Sequence, residues 1–233
     1  MSLYWSVLFA PVPAVGVTST IAYVSSLESI RTLTTDPYTF DFTPVGIPQA
    51  IVLTVASNGS STQHGSACTY GGVALTKVNG VGQADASHPG STEVWLLGSS
   101  VPTGMQTLSY DLSSATDDDQ QFVIYELSAA GNVEAVDSEV ASSVDSFDPT
   151  LTMQYAGRRA ISIGCVQYGK PDVTDLVDNA NMSEAATHDF ASQIAHSNYQ
   201  TTPGTSDFTF NFTRPFGDEA GCMTVAAFSE VGS

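Results

Sequence analysis

Residues 67–78 read ACTYGGVALTKV, and the fold turns on the two glycines in the middle. Gly71-Gly72 separates Thr69-Tyr70 from Val73-Ala74-Leu75. A two-residue hairpin turn wants positive φ at both central positions, which glycine adopts without a steric penalty. The spacing therefore predicts two antiparallel strands with Tyr70 opposite Val73.

The same pattern extends outward. Tyr38-Thr-Phe-Asp-Phe42 and Asp207-Phe-Thr-Phe-Asn-Phe212 alternate with period two, aromatics on one face and polar groups on the other. Residues 50–56 (AIVLTVA) and 160–166 (AISIGCV) are continuous β-branched and apolar runs, expected to be buried more fully. Residues 121–127 and 222–228 complete the obvious strands. Turn signals at Asn58-Gly59, Asn79-Gly80, Pro102-Thr-Gly104, Gly131-Asn132 and Pro203-Gly204 separate them. About ten short strands at such spacing predict an all-β, antiparallel two-sheet sandwich, jelly-roll-like. Residues 171–197 alternate little; a short helix around 180–187 or a long excursion over the sheet edge fits them. No internal repeat is visible. The expected organisation is an N-terminal arm and first strand over 1–30, then a single sandwich domain over 31–233.

Charge narrows the partners. The chain has 24 acidic residues against 6 Lys and Arg, a net charge of −18 over 233 residues. Such a surface repels the phosphate backbone, so no nucleic-acid partner is expected. Anionic membranes are disfavoured for the same reason. An apolar fraction of 42% argues against disorder.

The first residues, MSLYWSVLFAPVPAVG, resemble a signal-peptide core, but no Lys or Arg precedes Arg31, and Pro11 and Pro13 interrupt the run. An ordered arm is expected here, with no signal peptide cleaved. Leu3, Tyr4, Trp5 and Phe9 are its candidate partner contacts, because aromatic anchors dominate interfaces. Trp95, alternating with Val94 and Leu96, is expected in the core.

Chemistry is sparse. Cys68, Cys165 and Cys222 lie far apart in apolar runs and are read as buried thiols, without a disulfide framework or a Cys-x-x-Cys zinc pair. His64, His88, His188 and His196 have no nucleophile motif beside them. Asp117-Asp118-Asp119 is read as a solvated acidic turn, since consecutive acids in an extended loop point apart. The acceptor triplets at Asn58, Asn181 and Asn211 are short enough to arise by chance. With 24 acids, some carboxylate pair falls at a glycosidase spacing by accident. No catalytic residue, cofactor or metal ligand is assigned, and no enzyme activity is expected.

Tyr70-Gly-Gly-Val-Ala-Leu-Thr-Lys-Val78, Thr92-Glu-Val-Trp-Leu-Leu97 and Pro102-Thr-Gly104 leading into Thr107-Leu-Ser-Tyr-Asp111 resemble a β-sandwich module of tailed-phage virion structural proteins, also seen in some bacterial surface proteins. The likeness covers about residues 67–167, and its motifs mark turns and core. The resemblance implies a virion component, assembled in the host cytoplasm, that contacts capsid or tail subunits and forms a homo-oligomer. A capsid decoration or cement protein on the outer shell is the first expectation. A tail or fibre protein binding host glycans through Tyr199, His64 and His88 is the alternative.

Overall fold

The computed structural model describes residues 21–32, 36–59, 65–84, 89–112, 119–129, 131–141, 146–147, 149–153, 159–169, 177–178, 182–190, 193–200, 204–210, 212–213 and 220–230. Among them every regular element is a strand, and every strand pairing is antiparallel.

The first half of the chain holds β1 (Tyr23–Arg31), β2 (Tyr38–Phe42), β3 (Ala50–Asn58), β4 (Gly65–Tyr70), β5 (Val73–Ala74), β6 (Thr76–Gln83), β7 (Gly90–Leu97), β8 (Gln106–Leu112) and β9 (Gln120–Leu127). These form a five-stranded sheet, β1-β9-β3-β7-β6, and a four-stranded sheet, β2-β8-β4-β5. The glycine hairpin is present as expected: Gly71 and Gly72 have φ of 55° and 79°, and Tyr70 pairs with Val73.

The second half holds β10 (Gly131–Ala141), β11 (Ser146–Phe147), β12 (Thr150–Leu151), β13 (Ala160–Tyr168), β14 (Val177–Asp178), β15 (Met182–Asp189), β16 (Ile194–Gln200), β17 (Phe208–Thr209), β18 (Phe212–Thr213) and β19 (Gly221–Glu230). Its large sheet runs β10-β19-β13-β16-β15, with small sheets β11-β18-β14 and β12-β17.

The layers follow from side-chain alternation. On β3, Ile51, Leu53 and Val55 join Phe122, Ile124 and Trp95 and pack against Tyr70, Leu108 and Tyr110 of the four-stranded sheet. The opposite face offers Ala50, Val52, Val94 and Tyr125, which pack on Ile161, Ile163, Ala226 and Phe228 of the second half. The first five-stranded sheet is thus covered on both sides. That explains why residues 50–57 are continuously buried and read as an unbroken apolar run. Each such Leu, Ile or Phe contributes about 1.5–3 kcal/mol by leaving water. The far face of the second large sheet carries Val166, Tyr168, Met223 and Val225 against Leu151 and Phe210.

The all-β antiparallel character is as expected, but there are five sheets among the described residues, not two. The helix expected at 180–187 is corrected: Met182–Asp189 is β15, paired along β16 from Met182↔Gln200 to Asp189↔Ile194. Residues 180 and 181 lie outside the described set. Burial of Met182 and Ala186 and a ladder to β16, interrupted once at Ala185, outweigh helix preferences of a few tenths of a kcal/mol per residue.

Strand order repeats between the halves. β1, β9, β3, β7 and β6 occupy the places taken by β10, β19, β13, β16 and β15, and β2-β8-β4 matches β11-β18-β14. Across the boundary β3 faces β13, β1 faces β15 and β6 faces β10. Exchanging the halves maps these contacts onto one another, so the packing approximates a two-fold axis. A register shift also marks each outer strand of both large sheets: between Tyr23 and Ser25, Lys77 and Asn79, Val133 and Ala135, and Glu184 and Ala186. The inner strands of those two sheets pair with one another without a shift.

Candidate functional site: an uncharged loop end

Strand register gathers three connections at one end of the first half. Phe42 pairs with Gln106, Tyr70 with Val73, and Ala50 with Leu127. The connections 43–49 (TPVGIPQ), 71–72 (GG) and 98–105 (GSSVPTGM) therefore emerge together, and none contains a charged residue.

Two of them hold large apolar side chains in solvent: Val45 is 80% exposed, Ile47 73% and Met105 65%. Their backbones are fixed from beneath. The buried Glu126 carboxylate accepts hydrogen bonds from Val45 N at 2.9 Å, Gly46 N at 3.1 Å and Ser25 Oγ at 2.7 Å. Pro44 and Pro48 restrict φ on either side. In the other connection, Gln106 Nε2 donates to Thr103 O at 2.7 Å, while Ser100 and Gly104 take φ of 57° and 73°. Ser100 pays the cost of the left-handed region that glycine avoids. Beside Val45, a shallow cleft of about 330 Å3 is lined by Ser25, Leu27, Asp41 and Phe42. Rigid, exposed, uncharged apolar tips are what a protein contact surface requires.

A second cluster has the residue types of an active site. Glu93, 2% exposed, accepts from Trp95 Nε1 at 2.8 Å and Tyr110 OH at 3.1 Å on Oε2. Its Oε1 accepts from Gly65 N at 3.1 Å and lies 3.3 Å from Lys77 Nζ, which sits 5.0 Å from the Trp95 ring centre. A carboxylate has about four acceptor positions, and protein donors take all of them here. Burial, then the Glu93 charge and hydrogen bond, push the Tyr110 hydroxyl well above its ordinary value, so it remains a donor. Cys68 is raised by burial first and then by Glu93 and Asp111. The arrangement anchors β4, β6 and β8 to β7.

Leu3, Tyr4, Trp5 and Phe9 lie outside the described residues, as do His64, His88, Asp117 and Asp118. Tyr199 is on β16, not a loop, and stacks on Tyr23 with ring centres 3.9 Å apart. His196 is buried, its Nδ1 2.5 Å from Thr187 Oγ1. Trp95 is in the core and all three cysteines are buried and free, as expected. Among the described residues no cluster of three His, Cys, Asp or Glu side chains could hold a metal ion. Sequence reasoning missed Val45, Ile47 and Met105. The signal was there in Pro44-Val-Gly-Ile-Pro48, where large aliphatic residues between prolines cannot join a strand interior. No family model, curated protein or solved structure matches this chain.

Proposed function

We propose that this chain is a non-enzymatic structural protein of a tailed-phage particle, a decoration or cement protein that docks on the outer shell through its uncharged loop end. The observation that carries this reading is the presentation of Val45, Ile47 and Met105 on loops pinned from within. The remainder of the chain carries the −18 charge. That charge keeps copies soluble and away from packaged DNA, and leaves the neutral end as the least repelled approach. The resemblance of residues 67–167 to virion modules supports the same assignment. So does the order β1-β9-β3-β7 facing β2-β8-β4-β5, which we read as a jelly roll, an architecture used by capsid proteins. A specific contact of ordinary size buries about 1,600 Å2 in total.

The test is binding of purified protein to particles stripped of it, comparing wild type with the Val45→Asp, Ile47→Asp double variant. Loss of binding by tenfold or more, with the circular dichroism unchanged, is expected. Equal binding by a folded variant refutes the reading. Saturable binding to host polysaccharide in place of shells moves the protein to the tail or fibre.

A further inference from the structure

We propose that the cleft between β6 and β10 is a binding site for a small uncharged phenolic ring. The cleft has a volume of about 470 Å3, within the roughly 300–1,000 Å3 of small-molecule sites. What fits it is read from the other side of the approximate two-fold axis, where β1 faces β15.

Register fixes which residues correspond across that axis. Tyr23 pairs with Leu127 at the shift on β1, and Val133 pairs with Phe228 at the shift on β10. Two residues before those partners stand Tyr125 on β9 and Ala226 on β19. Val52 pairs with both Tyr125 and Leu96, and Ile163 with both Ala226 and Tyr199. Val133, Ala226 and Leu96 on one side thus take the places of Tyr23, Tyr125 and Tyr199 on the other.

The two sides are filled differently. Tyr23 and Tyr199 stack with ring centres 3.9 Å apart and planes 15° apart, and Tyr125 meets them edge-on at 6.4 and 6.3 Å. Beside β6 and β10 all three rings are replaced by smaller aliphatic groups, and two of these, Leu96 and Val133, line the cleft. Gly131, which also lines it, stands where the other side has Ile21. The walls cannot close on the space. Gly131 N donates to Gly98 O at 2.8 Å, Asn79 Nδ2 donates to Asp137 O at 3.1 Å, and a Cβ on Gly98 would already run into the Gly131 carbonyl. A space of this kind in close-packed apolar surroundings takes a small arene of matching shape. A ring beside Leu96 and Val133 restores the packing that the tyrosines give the other side.

Charge and polarity select within the arenes. Lys77 is the one charged residue among the described lining residues, and its Nζ is paired with Glu93 at 3.3 Å, so a neutral ligand fits. Thr76, Ser99 and Asn132 also line the cleft and supply polar groups for a ring hydroxyl.

The proposal is independent of what the loop end docks on, and its test uses no particle. Full-length protein is titrated with para-cresol, the tyrosine side chain as a free molecule, and followed by methyl NMR. One saturable site with a dissociation constant of about 1 mM or tighter is expected, with shifts centred on the Leu96 and Val133 methyls. Val133 is 38% exposed, so Val133→Tyr and, separately, Val133→Phe should fold and place a ring of their own in the cleft. Each should weaken binding tenfold or more with unchanged circular dichroism. The saturated analogue para-methylcyclohexanol should bind at least tenfold more weakly than para-cresol. Absence of saturable binding, undiminished binding by both folded variants, or equal affinity for the saturated analogue overturns the proposal.

Discussion

The indole of Trp95 donates a hydrogen bond to the carboxylate of Glu93, two residues earlier on the same strand, at 2.8 Å. Alternation makes this possible, because residues i and i+2 of a strand share a face. A glutamate beside a core tryptophan is thereby drawn into the core too, where it must be satisfied by its neighbours.

Glu93→Ala should therefore destabilise the fold by about 3 kcal/mol or more, since it strands the Trp95, Tyr110 and Gly65 donors in a buried site. The check is urea unfolding followed by tryptophan fluorescence. A midpoint within error of wild type would refute the anchoring role.

Gly65 is constrained by the same cluster. A Cβ there would lie 2.5 Å from Trp95 Cζ2, 2.6 Å from Glu93 Oε2 and 2.7 Å from Tyr110 OH. Gly65→Ala should cost about 1–3 kcal/mol by overpacking, whereas Gly72→Ala meets nothing within 4 Å and is strained only by its φ of 79°. Thermal melts of the two variants separate crowding from backbone strain.

Between the halves, Thr92 Oγ1 and Thr224 Oγ1 lie 2.7 Å apart with both residues fully buried. Each single Thr→Val change should cost about 1–2 kcal/mol by leaving the other hydroxyl short of a partner. The double variant should cost less than the sum, with a coupling of about 0.5 kcal/mol or more. Additive costs in a double-mutant cycle would show that the two hydroxyls do not interact.

Alkali should weaken the protein before acid-sensitive groups matter at all on that side of neutrality. Burial pushes the Cys222 thiol from 9.0 to about 12, and burial with the Glu126 charge pushes Tyr70 from 10.0 to about 12. Cys68 and Cys165 are raised too, chiefly by burial. Once pH passes 9 the unfolded chain binds fewer of these protons than the native one, so stability falls as pH rises from about 9 towards 12. Urea midpoints at pH 7.5 and 10 should differ in that direction. A thiol reagent at pH 8 should find no reactive cysteine until the chain unfolds. A flat or rising midpoint contradicts the burial of these groups.

Much of the strand inventory was legible in the sequence because its signals are local. Gly71-Gly72 dictates its own turn, and residues 38–42 declare one buried face by alternation alone. The layering was harder to see. The run 50–56 announces burial but not by what, and its two faces meet different sheets. Residues 182–189 have helix-tolerant composition, and only pairing with β16 decides their state. The repeated strand order leaves no sequence trace, because the second half replaces β2 and β8 with pairs of two-residue strands. The candidate docking end depends on which connections come together, and that is set by register across strands distant in the chain.

The four interrupted margins of the two large sheets have one more consequence. A regular outer strand is a template on which further chains can stack into fibrils. Here each such template is broken near Val24, Val78, Glu134 or Ala185. The margins of the two large sheets therefore offer no unbroken backbone ladder on which a further chain could zip.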